Sequence, residues 1–159
     1  MDGHAAGIIK KTIYAVVATS SPSDLPWNSP VYVVYDDELN FYWASSRESR
    51  HSRNIRRNSK VSLVIFDSGA SWGTGEGVFI EARAVEVEDH LEIEKACHLR
   101  SDRIPDANQP PRDFIGDMPR RIYRASPRKI WMNHGGKVNG HFVDERIELD
   151  IAVLQKQLR

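Results

Sequence analysis

A succession of short runs dominated by β-branched and aromatic residues, each closed by turn formers, most restricts what this chain can fold into. Thr12 to Thr19 reads TIYAVVAT before SSPSD, Ser29 to Tyr35 reads SPVYVVY, and Leu39 to Ser45 reads LNFYWAS after the turn pair Asp36-Asp37. Val61 to Phe66 (VSLVIF) and Val78 to Val87 (VFIEARAVEV) bracket the glycine-rich SGASWGTGEG, and the second run alternates apolar with polar residues. Such residues suit a pleated, half-buried surface, and short connections predict antiparallel neighbours, because parallel strands need long crossovers. Ile122 to Arg124, Lys129 to Met132 and His141 to Leu149 read as closing strands.

Helical signals are few. SRESRHSRNIRRN follows the third strand, with Ser46 or Ser49 able to cap a short helix. Asp89 to Arg100 places Leu91, Ile93, Ala96, Cys97 and Leu99 near one side of a helical repeat, with Asp89 as N-cap, and Asp150 can cap a last helix, IAVLQKQLR. Strands without regular strand-helix alternation predict a mainly β chain: an antiparallel split β-barrel of six to seven strands in one domain over residues 1–159.

A chain of 159 residues can bury one core, and its 40% apolar and 28% charged residues are ordinary for a globular protein. The formal net charge of zero argues against bulk attraction to nucleic acid, and the apolar runs are too short to cross a membrane. The start MDGHAAGIIKK lacks the pattern of a secretory signal, and a lone Cys97 rules out an intramolecular disulfide or a thiolate zinc cage. These points predict a cytoplasmic protein without nucleic-acid or membrane partners.

The chemistry is concentrated between Trp43 and Asn58, WASSRESRHSRNIRRN, where a strand ends in small hydroxyl residues and a basic helix begins at once. Helix N-terminal N–H groups attract anions, and Ser45, Ser49, Arg50 and His51 add donors within one turn. Arg53, Arg56 and Arg57 lie further along and are expected to cover surface or pair with acids. His134 and His141 have no carboxylate or cysteine at supporting spacing, so no metal site is expected. SGASWGTGEG lacks a nucleotide-loop ending and reads as a hairpin connection, with Trp72 over a barrel end or near the site. Cys97 reads as a buried small hydrophobe.

The run SPVYVVYDDELNFYWASSRESRHSRNIRRNSKVSLVIF resembles the FMN-binding split-barrel family of the pyridoxamine 5'-phosphate oxidase type, in which a strand pair leads into a phosphate-gripping Ser-Arg-Lys. The similarity is strongest from Ala15 to Val87 and weaker through the C-terminal strands. It implies that Ser45, Ser49, Arg50 and His51 bind the FMN phosphate, that Ala44 also belongs to the cofactor site, and that the backbone of Val31, Tyr32 and Val33 lies along the flavin ring. It also implies a homodimer with flavin at the interface, where Trp131 and Arg146 reach the flavin from the second chain.

The departures matter as much. Pro30 stands where the family has an FMN-contacting arginine, Tyr35 where it has a substrate lysine, and Ala96 where it has a substrate tyrosine. Arg100 keeps a family arginine, while Phe142 and Asp144 replace an Arg-x-His that holds the vitamer. The resemblance thus implies a flavoprotein oxidoreductase acting on a small molecule other than pyridoxamine 5'-phosphate, with NADH or NADPH as candidate reductant. Two alternatives stay open: a flavin-binding or sensing module without turnover, and a split barrel holding deazaflavin through Arg47, Arg53 and Arg56 or haem through His134 or His141.

Overall fold

A computed structural model describes every residue except Thr74, and every side chain except those of Thr74, Lys137, Phe142 and Asp144, so the expectations for Phe142 and Asp144 lie outside the described residues. The elements run in the order α1 (Asp2–Lys11), β1 (Tyr14–Ser20), β2 (Pro26–Tyr32), β3 (Val34–Tyr35), β4 (Phe41–Ser46) and α2 (Arg50–Arg57). β5 (Lys60–Phe66), β6 (Gly77–Glu86), α3 (His90–Arg103), a 3₁₀ turn (Pro111–Phe114), β7 (Arg120–Val138), β8 (His141–Leu149) and α4 (Ile151–Leu158) follow.

Eight strands form one antiparallel sheet in the order β2-β1-β5-β6-β7-β4-β3, with β8 added to β7. The two ends of that order, β2 and β3, are separated in the chain by Val33 alone. The sheet must therefore curl until its ends meet, yet β2 and β4 exchange no ladder, and this open seam is the split of the barrel. Val17, Phe41, Trp43, Leu63, Ile65, Ile80 and Tyr123 fill the interior, and a second apolar cluster beneath α3 gathers Val34, Tyr42, Ile93, Ala96, Cys97, Phe114 and Ile122.

Several boundaries differ from the sequence reading. β2 begins at Pro26, because Trp27 and Asn28 pair with Thr19 and Ala18 despite their exposure. Leu39 belongs to a turn at φ 63°, held by the Asp36 carboxylate, which accepts from the backbone N–H groups of Glu38 (3.1 Å) and Asn40 (2.8 Å). The runs at Ile122 and Lys129 join into one long β7, which continues into β8 through Asn139-Gly140. Both turn residues have positive φ, 51° and 81°, as a tight hairpin requires.

The helix α1 is an element the sequence reading leaves unassigned. Its Ala5, Ala6 and Ile9 are buried, Lys10 donates to the Gln157 carbonyl of α4 at 2.8 Å, and the Arg103 guanidinium caps it by donating to the carbonyls of Ile9 and Thr12. On α3, Leu91 is exposed while Arg100 is buried, so the apolar face is rotated from the one expected. Trp72 is fully exposed and packs over no barrel end. No described helix is long and apolar enough to cross a membrane.

Candidate functional site

The seam between β2 and β4 is plugged by the first turn of α2. Ser49 caps that helix, its hydroxyl accepting from the Ser52 N–H, and the first turn carries no acidic residue to neutralise its exposed N–H groups. Its hydroxyl is also a hub: it receives the Ser45 hydroxyl at 3.4 Å, donates to Ser52 Oγ at 2.7 Å and stands 3.2 Å from His51 Nε2. The other ring nitrogen, Nδ1, shares a 3.1 Å hydrogen bond with Ser29 Oγ on β2. Helix, β4 and β2 are thus laced across the split by four hydroxyl groups and one imidazole.

His51 is buried, its ring edge-on to Tyr123 at 6.4 Å, and Trp43 stacks on Tyr123 at 5.7 Å beneath it. No described carboxylate pairs with the imidazole. Burial pushes its pKa below the ordinary 6.5, which favours the neutral imidazole. Arg50 is half-buried, and its guanidinium lies over the Trp27 ring at 4.3 Å. The Trp27 indole N–H donates to Ser29 Oγ at 3.1 Å, which ties Arg50 into the same network.

Of the residues singled out from the sequence, Ser45, Ser49 and His51 are brought together directly, with Arg50 alongside. Val31 is buried in β2, Val33 is buried at the joint between β2 and β3, and Tyr32 is exposed and packs on Tyr14 with ring centroids 4.1 Å apart. Ala44 is half-buried beside Ser45, opposite Ile122. Trp131 and Arg146 are elsewhere. Ser45 pairs with Arg121, and Trp131 lies ten residues further along β7, roughly 30 Å along the strand. Arg146 sits over Phe79 at 3.9 Å on the same outer surface. His134 and His141 are exposed on the β7–β8 hairpin.

Sequence reasoning missed Ser29, Ser52 and Trp27. Ser29 and Trp27 share a face of β2 by the two-residue strand period, but only the position of β2 at the seam makes that face part of the site. Arg121, also unforeseen, is buried and fully engaged by the carbonyls of Gly116, Met118 and Arg120 and by Glu86 at 3.1 Å. Arg53 and Arg57 are exposed, and Arg56 pairs with Glu86 at 3.5 Å.

The donor set suits a phosphate monoester: hydroxyls, helix N–H groups, a guanidinium and an imidazole that can take a proton, with no acid among them. The sequence matches the pyridoxamine 5'-phosphate oxidase family over residues 1–134. The chain belongs to that family. No curated protein sequence matches it. Among solved structures, the fold resembles the Agrobacterium tumefaciens protein Atu2129, of unknown function, with TM-score 0.69 and 18% identity, covering 83% of this chain and 55% of that one. It also resembles HutZ, the heme storage protein of Vibrio cholerae, with TM-score 0.65 and 17% identity over 78% of this chain and 88% of that one. A heme binding protein of Mycobacterium smegmatis aligns at TM-score 0.67 and 15% identity over 99% of this chain and 60% of that one. The chain therefore spans less than two thirds of the Agrobacterium and Mycobacterium proteins.

Proposed function

We propose that this family member binds flavin mononucleotide, with the phosphate at the N-terminus of α2 among Ser45, Ser49, Arg50 and His51, and acts as a homodimeric oxidoreductase. The observation that carries the reading is the buried imidazole of His51, bonded to Ser29 and Ser49 at a helix N-terminus with no carboxylate paired to it among the described residues. Such a group is costly to charge alone and favourable to charge beside a phosphate. Bound flavin would supply two-electron redox chemistry, and the chain's own part is to grip, orient and shield.

The homodimer belongs to the same proposal. If Trp131 on β7 and Arg146 on β8 touch the flavin whose phosphate lies at Ser49, their distance from the Ser45–Arg121 end of β7 requires that they come from a second chain. Recognition of pyridoxamine 5'-phosphate is disfavoured, because Ala96 is sealed in the cluster beneath α3 and Tyr35 is covered by the Arg103 guanidinium at 4.8 Å. The substrate is accordingly a different small molecule.

The test is the visible spectrum of the purified chain, followed by anaerobic addition of NADH or NADPH. Flavin bands that bleach with reductant and return with air support the reading; a Soret band, or a chain that takes up no flavin, contradicts it.

A further inference from the structure

The outer surface of β5, β6 and β7 carries a second concave site, on the far side of α2 from Ser49. A groove of about 460 Å³ is lined by Lys60, Val61, Glu81, Ala82, Arg83, Arg128 and Lys129. Four cations face one carboxylate there, although the whole chain balances 22 basic against 22 acidic residues. Lys60 and Arg83 are direct cross-strand partners, an arrangement that repels unless an anion lies between. Arg128 joins them through a bulge: Glu81 pairs with Lys129 and Ala82 with Pro127, so Arg128 is the extra residue, which is how a bulge re-aims a side chain.

Within the described residues, Lys60, Arg83 and Arg128 have no acidic partner within 4.0 Å; Lys129 reaches Glu148 at 3.3 Å. Arg83 donates only to Ser59 Oγ, at 3.1 Å. The three unpaired cations stand on three adjacent strands and so span about 10 Å, further than one phosphate bridges and within reach of two or three linked ones. The groove is too small and local for an extended polyanion.

We propose that this groove binds a compact polyphosphate, either the di- or triphosphate group of a nucleotide or its inorganic counterpart. It is separate from the phosphate grip at Ser49, since Lys60 follows the C-terminus of α2 and Ser49 precedes its N-terminus, about 12 Å apart along the helix, and it borders the surface proposed above to reach the second chain's flavin, where Lys129 lies over the Trp131 ring at 5.8 Å.

Calorimetric titration of the full chain with tripolyphosphate, pyrophosphate, ADP and orthophosphate tests it. Tripolyphosphate is expected to bind at least about tenfold more tightly than orthophosphate, as counter-charge scales with the number of linked phosphates. The double variant Arg83→Gln/Arg128→Gln should lose at least about tenfold in that affinity while keeping its thermal midpoint, and Arg50→Gln should leave the affinity unchanged. ADP binding more tightly than pyrophosphate would identify a nucleotide ligand, and equal affinity the inorganic anion; both support the site. Undiminished binding in the double variant, loss in Arg50→Gln instead, or no binding at millimolar concentration would overturn it.

Discussion

Ser29 on β2 and His51 on α2 lie 22 residues apart in the chain and share a 3.1 Å hydrogen bond across the open seam of the barrel. That bond fixes the ring so that its other nitrogen faces Ser49, and it makes a strand that flanks the site into part of the site.

The first prediction concerns pH. Burial holds His51 below 6.5 in the free protein, and an adjacent phosphate raises it on binding. The imidazolium contribution to FMN affinity is complete below the free-protein pKa and is lost as pH rises through the higher, bound-state value. Affinity measured by flavin fluorescence should fall up to about tenfold per unit of pKa difference between the two states. His51→Lys removes this component and leaves only the ligand's own titration; identical profiles for the two proteins would exclude contact between His51 and the phosphate.

Ser29→Ala removes one hydrogen bond from the ring without touching the phosphate donors. FMN affinity should drop by about fivefold, the value of about 1 kcal/mol, with little change in thermal stability. Ser49→Ala should do more, because it also removes the α2 cap and lowers stability by about 1 kcal/mol. Equal effects of the two substitutions on FMN affinity would contradict the hub role of Ser49.

Subunit mixing tests the assignment of Trp131. A His51→Ala chain and a Trp131→Ala chain should each bind FMN poorly, whereas their heterodimer regains one intact site of two. Binding recovered after co-expression, read as flavin per dimer, is the expected result; no recovery places both residues in one protomer's site, and full binding by the Trp131→Ala chain alone places Trp131 outside it.

Much of the architecture was legible because alternation and turn chemistry are local. The strands near Thr12, Val61 and Val78, the Ser49, Asp89 and Asp150 caps, and the burial of Cys97 all follow from patterns within a few residues. The sheet has eight strands where six to seven were expected, and they are not the eight runs of the sequence, because Val33 divides one run while β7 unites two others. α1 escaped notice since its small buried face, Ala5, Ala6 and Ile9, gains meaning only against α4. Ser29 and Trp27 were illegible for a related reason: nothing in PWNSPVY tells which sheet end meets α2.

The Asp36 turn supplies a prediction on stability. Its carboxylate is buried, and burial alone would raise its pKa, but hydrogen bonds from Lys95 (2.6 Å), Asn40 and Tyr42 (3.0 Å) outweigh that and hold it below 3.8. The stabilisation is present above the unfolded value and is lost as pH falls below it through the folded one. Asp36→Ala should cost about 3 kcal/mol in urea unfolding at neutral pH, and Lys95→Ala about 1 kcal/mol, because the lysine is half-exposed. A smaller loss for Asp36→Ala than for Lys95→Ala would refute the account of this turn.

The phosphate grip at α2 stands or falls on titration of the flavin-free chain with FMN and riboflavin side by side. FMN is expected to bind at least about a hundredfold more tightly, as two charge-assisted hydrogen bonds would supply, with that preference collapsing in Arg50→Gln/His51→Gln. Equal affinity for the two flavins, or a preference untouched by the double substitution, would contradict it.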